Sequence, residues 1–105
     1  KRAYDPLKDH PYLIPSWATD PNNESEIMEA LNQAKDGQIV VLTIHGVPDL
    51  EHPWVNTPPE MFLRYLDFLT ENNYQVMSFE QLAGYIDFQE AKNQLKIDLE
   101  QALRN

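Results

Sequence analysis

Cysteine is absent from the 105 residues. That excludes disulfides, thiolate metal sites and a cysteine nucleophile, and it removes the usual sign of redox compartment. Cations are scarce: 8 Lys and Arg stand against 17 Asp and Glu, a formal net charge of −9. A phosphate-backbone binder needs clustered Lys and Arg, so nucleic acid is excluded as a partner. The acidity itself reads as solvated surface. No apolar run approaches the roughly 18 residues of a membrane span, so none is expected. No signal-peptide pattern follows Lys1, as would also hold for a processed or trimmed N-terminus. The length allows one small domain, or part of a larger one, with a modest core.

What is present is clearest at 39–48, Ile-Val-Val-Leu-Thr-Ile-His-Gly-Val-Pro. An apolar, β-branched run of this kind reads as a buried strand of an α/β sheet. It ends on His45, with Gly46 next. Carboxyl ends of strands in α/β folds are where ligands and catalytic groups gather. A histidine there suits an acid, a base or a metal ligand, because its unperturbed pKa is about 6.5. A capping or core histidine would occupy the same position.

The rest of the chain divides into three stretches. Residues 1–22 carry Pro6, Pro11, Pro15 and Pro21 and are expected to be irregular, with one short strand at Tyr12-Leu13-Ile14 closed by Pro15. Residues 23–86 read as α/β units. Asn23 with Glu26 predicts a helix cap, followed by a stripe of Ile27, Ala30, Leu31 and Ala34 that Gly37 ends. Thr57-Pro58-Pro59-Glu60 predicts a capping box with proline at the first helical position. Its helix shows Phe62, Tyr65, Leu66 and Leu69 on one face and stops where Asn72-Asn73 supply a left-handed residue. A second strand is expected at Tyr74–Met77, and Ser78 with Gln81 caps a third helix bearing Phe79, Leu82, Ala83 and Ile86. Residues 87–105 form the last helix, capped by Asp87 with Glu90, with Phe88, Ala91, Leu95, Leu99 and Ala102 turned inward. Alternating strands and helices imply parallel pairing. Two or three parallel strands are not self-sufficient, because such sheets are covered on both faces and their edges are sticky. The chain therefore reads as the end of a larger α/β domain.

The segment Gly37 to His45 resembles the last conserved motif of the polysaccharide deacetylases with a NodB-homology domain, carbohydrate esterase family four. A glycine, a hydrophobic strand and a terminal histidine make that motif. The sequel is similar too: a proline-rich loop, Pro58-Pro59-Glu60 opening a helix, then Tyr74-Gln75-Val76-Met77-Ser78 and Leu82. The likeness runs from about Leu13 to Ile86, and departs from the pattern at Thr43 and Gly46. It implies an α/β fold, the C-terminal part of a distorted (β/α) barrel, and hydrolysis of N-acetyl or O-acetyl groups on a carbohydrate. It implies a divalent metal, zinc above all, on an aspartate and two histidines from earlier motifs, one pair spaced His-x-x-x-His. This chain has only His10, His45 and His52, so no metal ligand maps onto it. The family's general acid maps onto His45. Expulsion of an amine needs protonation of the leaving nitrogen, and a positioned imidazolium supplies about 10²–10⁴-fold.

Further candidates surround His45. Asp49 could orient its ring, and His45, Asp49 and His52 together form a possible metal cluster. His52 could equally be exposed or packed on Trp54. Trp54 offers a broad face for a sugar ring and is the expected substrate contact, while Trp17 reads as core or rim packing. Expected partners are a carbohydrate substrate and either the N-terminal remainder of the domain or a second copy. Two other classes compete. A His-Gly at a strand end also occurs in the oxyanion loop of α/β-hydrolases, but Ser16, Ser25 and Ser78 lack the Gly-x-Ser-x-Gly elbow. A non-catalytic module could dock through its last helix.

Overall fold

A computed structural model describes residues 1–104, apart from the side chains of Phe88 and Ala91. Its elements are β1 (Ser16–Ala18), α1 (Glu24–Leu31), β2 (Val41–Thr43), α2 (Pro59–Glu71), α3 (Phe79–Ala83) and α4 (Phe88–Arg104). A 3₁₀ turn spans Pro53–Val55.

The centre is a β1–α1–β2 unit. The strands pair in parallel, Ser16 with Val41, Trp17 with Leu42 and Ala18 with Thr43. Parallel neighbours need a crossover, and α1 provides it. The strand expected at Tyr12–Ile14 is displaced to Ser16–Ala18, so Pro15 precedes the strand instead of closing it. The predicted 39–45 strand is ladder only at Val41–Thr43. Ile39 is held separately in an antiparallel bridge with Tyr4, by bonds of 2.7 and 2.8 Å.

One core unites these elements. Trp17 from β1, Ile27, Ala30 and Leu31 from α1, and Met61 and Tyr65 from α2 form it, with Val40, Leu42, Phe68 and Leu69 packed alongside. Trp17 is thus core, as one reading of it held. Arg64 joins α2 to α1 through a two-pronged pair with Glu24, at 2.7 and 2.6 Å. Tyr74 Oη donates to the Leu31 carbonyl at 2.8 Å and ties the chain after α2 back to α1.

Helix starts follow the sequence unevenly. Ser78 and Gln81 form the full reciprocal capping box of α3. Asp87 Oδ1 accepts from the Glu90 backbone N–H at 2.9 Å, and α4 begins there. Asn73 adopts φ 58 just past α2, as the Asn-Asn pair predicted. Asn23 does stand at the N-cap of α1, but its side chain serves elsewhere: Nδ2 donates to the Ala18 carbonyl at 2.8 Å, and Oδ1 accepts from Asp20 N at 3.0 Å. Thr57 does not cap α2. Pro58 stands at that cap, because the Thr57 hydroxyl is taken by Thr19.

The C-terminal third departs most from expectation. Tyr74–Met77 forms no strand, having no ladder partner among the described residues. The expected inward face of α4 is not buried: Leu99 is 57 % exposed, Leu103 88 %, and Ala102 is exposed as well. Leu95 alone is half-buried, and the expectation for Phe88 and Ala91 lies outside the described residues, as does Asn105. The radius of gyration, 16.2 Å, exceeds the roughly 13 Å of a compact domain this long. Among the described residues no helix is long and apolar enough to cross a membrane.

Candidate functional site

The site lies at the carboxyl ends of β1 and β2. Thr19 N donates to the Thr43 carbonyl at 3.0 Å, which carries the pairing one residue past β1. Two hydroxyls, Thr19 Oγ1 and Thr57 Oγ1, then meet at 2.5 Å with both residues fully buried. A buried hydroxyl without a partner is costly, so each satisfies the other. The bond pins the end of the 46–56 loop to the end of β1. Thr57 N also donates to the Gly46 carbonyl at 3.1 Å, and Gly46 bridges Asn56 in parallel. The loop is therefore closed at its base.

His45 stands two residues beyond β2, and it is exposed. The strand expected to end on His45 stops at Thr43, so His45 follows the strand instead of closing it. Its ring makes no hydrogen bond within the described residues, and it lines neither the hollow beside Lys1 and Arg2 nor the groove beside α2. Neither of these two hollows is the cleft expected around it. Gly46 is required beside it for space: a Cβ there would sit 2.8 Å from the Asp49 Cβ. The chain doubles back so tightly that only glycine fits.

Asp49 is committed to His52. Its Oδ1 accepts from the His52 backbone N–H at 3.0 Å, and its carboxylate oxygens lie 3.0 and 3.3 Å from His52 Nδ1. Desolvation works to raise the Asp49 pKa, yet the His52 hydrogen bonds outweigh it and hold the carboxyl below its ordinary value. Asp49 N donates to Asn56 Oδ1 at 2.6 Å, fixing the loop across its width. The idea that Asp49 orients His45 is therefore replaced by an Asp49–His52 pair. His52 in turn meets Trp54 edge-on, ring centroids 5.5 Å apart and planes at 89°. Trp54 is 70 % exposed, so its indole face is open to a ligand.

Among the described residues no three His, Cys, Asp or Glu side chains gather as a metal site. His45, Asp49 and His52 do not converge. Two of the three serines are occupied structurally as well: Ser16 Oγ meets Thr43 Oγ1 at 2.5 Å, and Ser78 caps α3. What remains for chemistry is an open imidazole at a strand end with an exposed indole on the same loop. The sequence reading assigned Thr57 to a helix cap and did not single out Thr19 or Asn56. The Thr19–Thr57 bond joins residues 38 positions apart, and no local pattern marks it. Neither family models, nor curated proteins, nor solved structures contain a match to this chain.

Proposed function

We propose that this chain is the C-terminal part of a polysaccharide deacetylase-like domain, a distorted (β/α) barrel that hydrolyses N-acetyl or O-acetyl groups on a carbohydrate. His45 is its general acid. The observation that carries the reading is an exposed histidine just past the carboxyl end of a parallel strand, beside a glycine that the fold needs there. The motif from Gly37 to His45 and the sequel to Leu82 support it. So does the sparse β1–β2 sheet, since two parallel strands call for more sheet around them.

Among the described residues no cradle forms for the divalent metal that the resemblance implies, and its ligands belong to the remainder of the domain. His45 contributes a proton to the leaving nitrogen or oxygen as the tetrahedral adduct collapses. Trp54 stacks on the apolar face of a sugar ring. His52, clamped by Asp49, packs perpendicular to that indole and positions it.

Acetate release from N-acetylated chito-oligosaccharide and from O-acetylated xylan, by the protein at its natural length, is the test. Release from either supports the reading, and none from both overturns it. A second reading, a non-catalytic interaction module, is favoured by one observation: Ile97, Leu99 and Leu103 of α4 are 46, 57 and 88 % exposed.

A further inference from the structure

Parallel pairing fixes which backbone groups of β2 are spoken for. Thr43 O accepts from Thr19 N, so the backbone of Thr43 faces β1, and by alternation so does that of Val41. Ile39 shares that parity and turns its N–H and C=O to Tyr4. Val40, Leu42 and Ile44 therefore present theirs to the opposite edge. No element pairs with β2 there, since the sheet has two strands only, and neither Val40 nor Ile44 finds a backbone partner among the described residues. Unpaired ladder groups are a template for another strand.

Beside this edge runs a groove of about 850 Å³, bounded by α2, by the chain from Asn72 to Ser78 and by the start of α3. Its wall is apolar and nearly uncharged. Among the described residues Lys35 is the single charged one lining it, in a chain where 25 of 105 residues are charged (8 cationic and 17 anionic). Four large apolar side chains stand exposed on it: Ile44 at 39 %, Leu66 at 41 %, Val76 at 75 % and Phe79 at 66 %. Polypeptide that adds to a sheet edge takes affinity from main-chain bonds and specificity from pockets for alternate side chains.

We propose that the open edge of β2 and this groove accept an extended, apolar, uncharged β-strand of a separate partner polypeptide. Continuity with the existing β1–β2 ladder sets the occupant's backbone, and the absence of charge along the wall sets its side chains. A second copy is the poorer occupant, because each chain carries a net charge of −9 and two would repel. A small apolar ligand would leave the ladder groups of Val40, Leu42 and Ile44 unpaired. The docking needs nothing from His45, so it stands or falls apart from the catalytic reading.

Amide hydrogen exchange on the 105-residue chain tests it, with and without a ten-residue alternating Val-Thr peptide carrying a lysine at each end. The control peptide has the same charge and a central proline. The expected result is one-to-one binding of the first peptide alone, with exchange at Leu42 and Ile44 slowed at least tenfold. Val76→Lys and Phe79→Lys place charge in the groove at exposed positions and should weaken binding at least tenfold while leaving the melting temperature unchanged. Four results would overturn the proposal: no protection at Leu42 and Ile44, equal binding of the control, indifference to both lysine variants, or a dimer of the free chain in which those amides are already protected.

Discussion

Helices α2 and α4 carry similar apolar stripes, and the molecule treats them differently. In α2, Met61 and Tyr65 are buried, with Phe68 and Leu69 packed against the core. In α4, no described side chain is buried, and Leu99 and Leu103 face solvent. The difference lies in what each helix meets. α2 lies against α1 and β2, held by Arg64–Glu24, whereas the described contact of α4 is at the N-terminal segment, where Leu95 and Asp98 border a hollow with Lys1, Arg2 and Lys8. Periodicity specifies a helix and the face that prefers burial. It does not specify the surface that covers that face.

The comparison yields a direct contrast in stability. Ile27→Ala in the core of α1 should destabilise by about 2–5 kcal/mol, through lost burial and the cavity left behind. Leu99→Ala should change stability by less than about 0.5 kcal/mol. Urea unfolding followed at Trp17 measures both. Equal losses would mean that α4 is packed after all.

A smaller effect is expected at the site. Gly46→Ala forces a Cβ against Asp49 and should cost about 1–3 kcal/mol by overpacking. The same variant should disturb the environment of Trp54, since the loop can relieve the clash only by shifting Asp49 and the His52 it holds. An unchanged indole spectrum with unchanged stability would show that the loop has room to spare.

The next effect has the opposite sign. Tyr65 is 2 % exposed, and its hydroxyl has no hydrogen-bond partner within the described residues. Desolvation pushes its pKa up to about 12. Tyr65→Phe should therefore be neutral or stabilising by up to about 1 kcal/mol, because an unsatisfied buried hydroxyl costs free energy and the ring is retained. A loss above that would reveal a partner for the hydroxyl.

The smallest effect is an acid transition at the N-terminal turn. Desolvation works to raise the Asp9 pKa, but its hydrogen bonds from Arg2 and from Asp5 N prevail and lower it. A carboxyl with a lowered folded pKa contributes stability above its unfolded pKa, near 3.9, and loses it as pH falls through the folded value. The turn should accordingly loosen only below about pH 4, seen as chemical-shift changes at Asp5 and Asp9 by NMR. A transition well above that pH would contradict the assignment to Asp9.

Local signals in the sequence were legible where the structure satisfies them locally. The Ser78–Gln81 and Asp87–Glu90 caps and the left-handed Asn73 all depend on residues within a few positions. The readings that failed depend on distant partners. Thr57 would cap α2 if Thr19, 38 residues away, did not hold its hydroxyl. Ser16–Ala18 becomes a strand only because Val41–Thr43 lies beside it, and Tyr74–Met77 is not one because it has no ladder partner among the described residues. At the site, His45 and Trp54 were visible by residue type, whereas the Asp49–His52 clamp needed the loop's closure at Gly46 and Thr57.

The catalytic assignment of His45 has one decisive measurement: turnover, metal content and melting temperature on a single His45→Ala preparation of the protein at its natural length. His45 is exposed and makes no hydrogen bond within the described residues, so its loss should leave the fold intact. As the proton donor to the leaving group it acts only in the transition state. The account predicts a fall in kcat of about 10²-fold or more, with metal content and melting temperature unchanged. Normal kcat would contradict it, and loss of metal would make His45 a ligand instead of an acid.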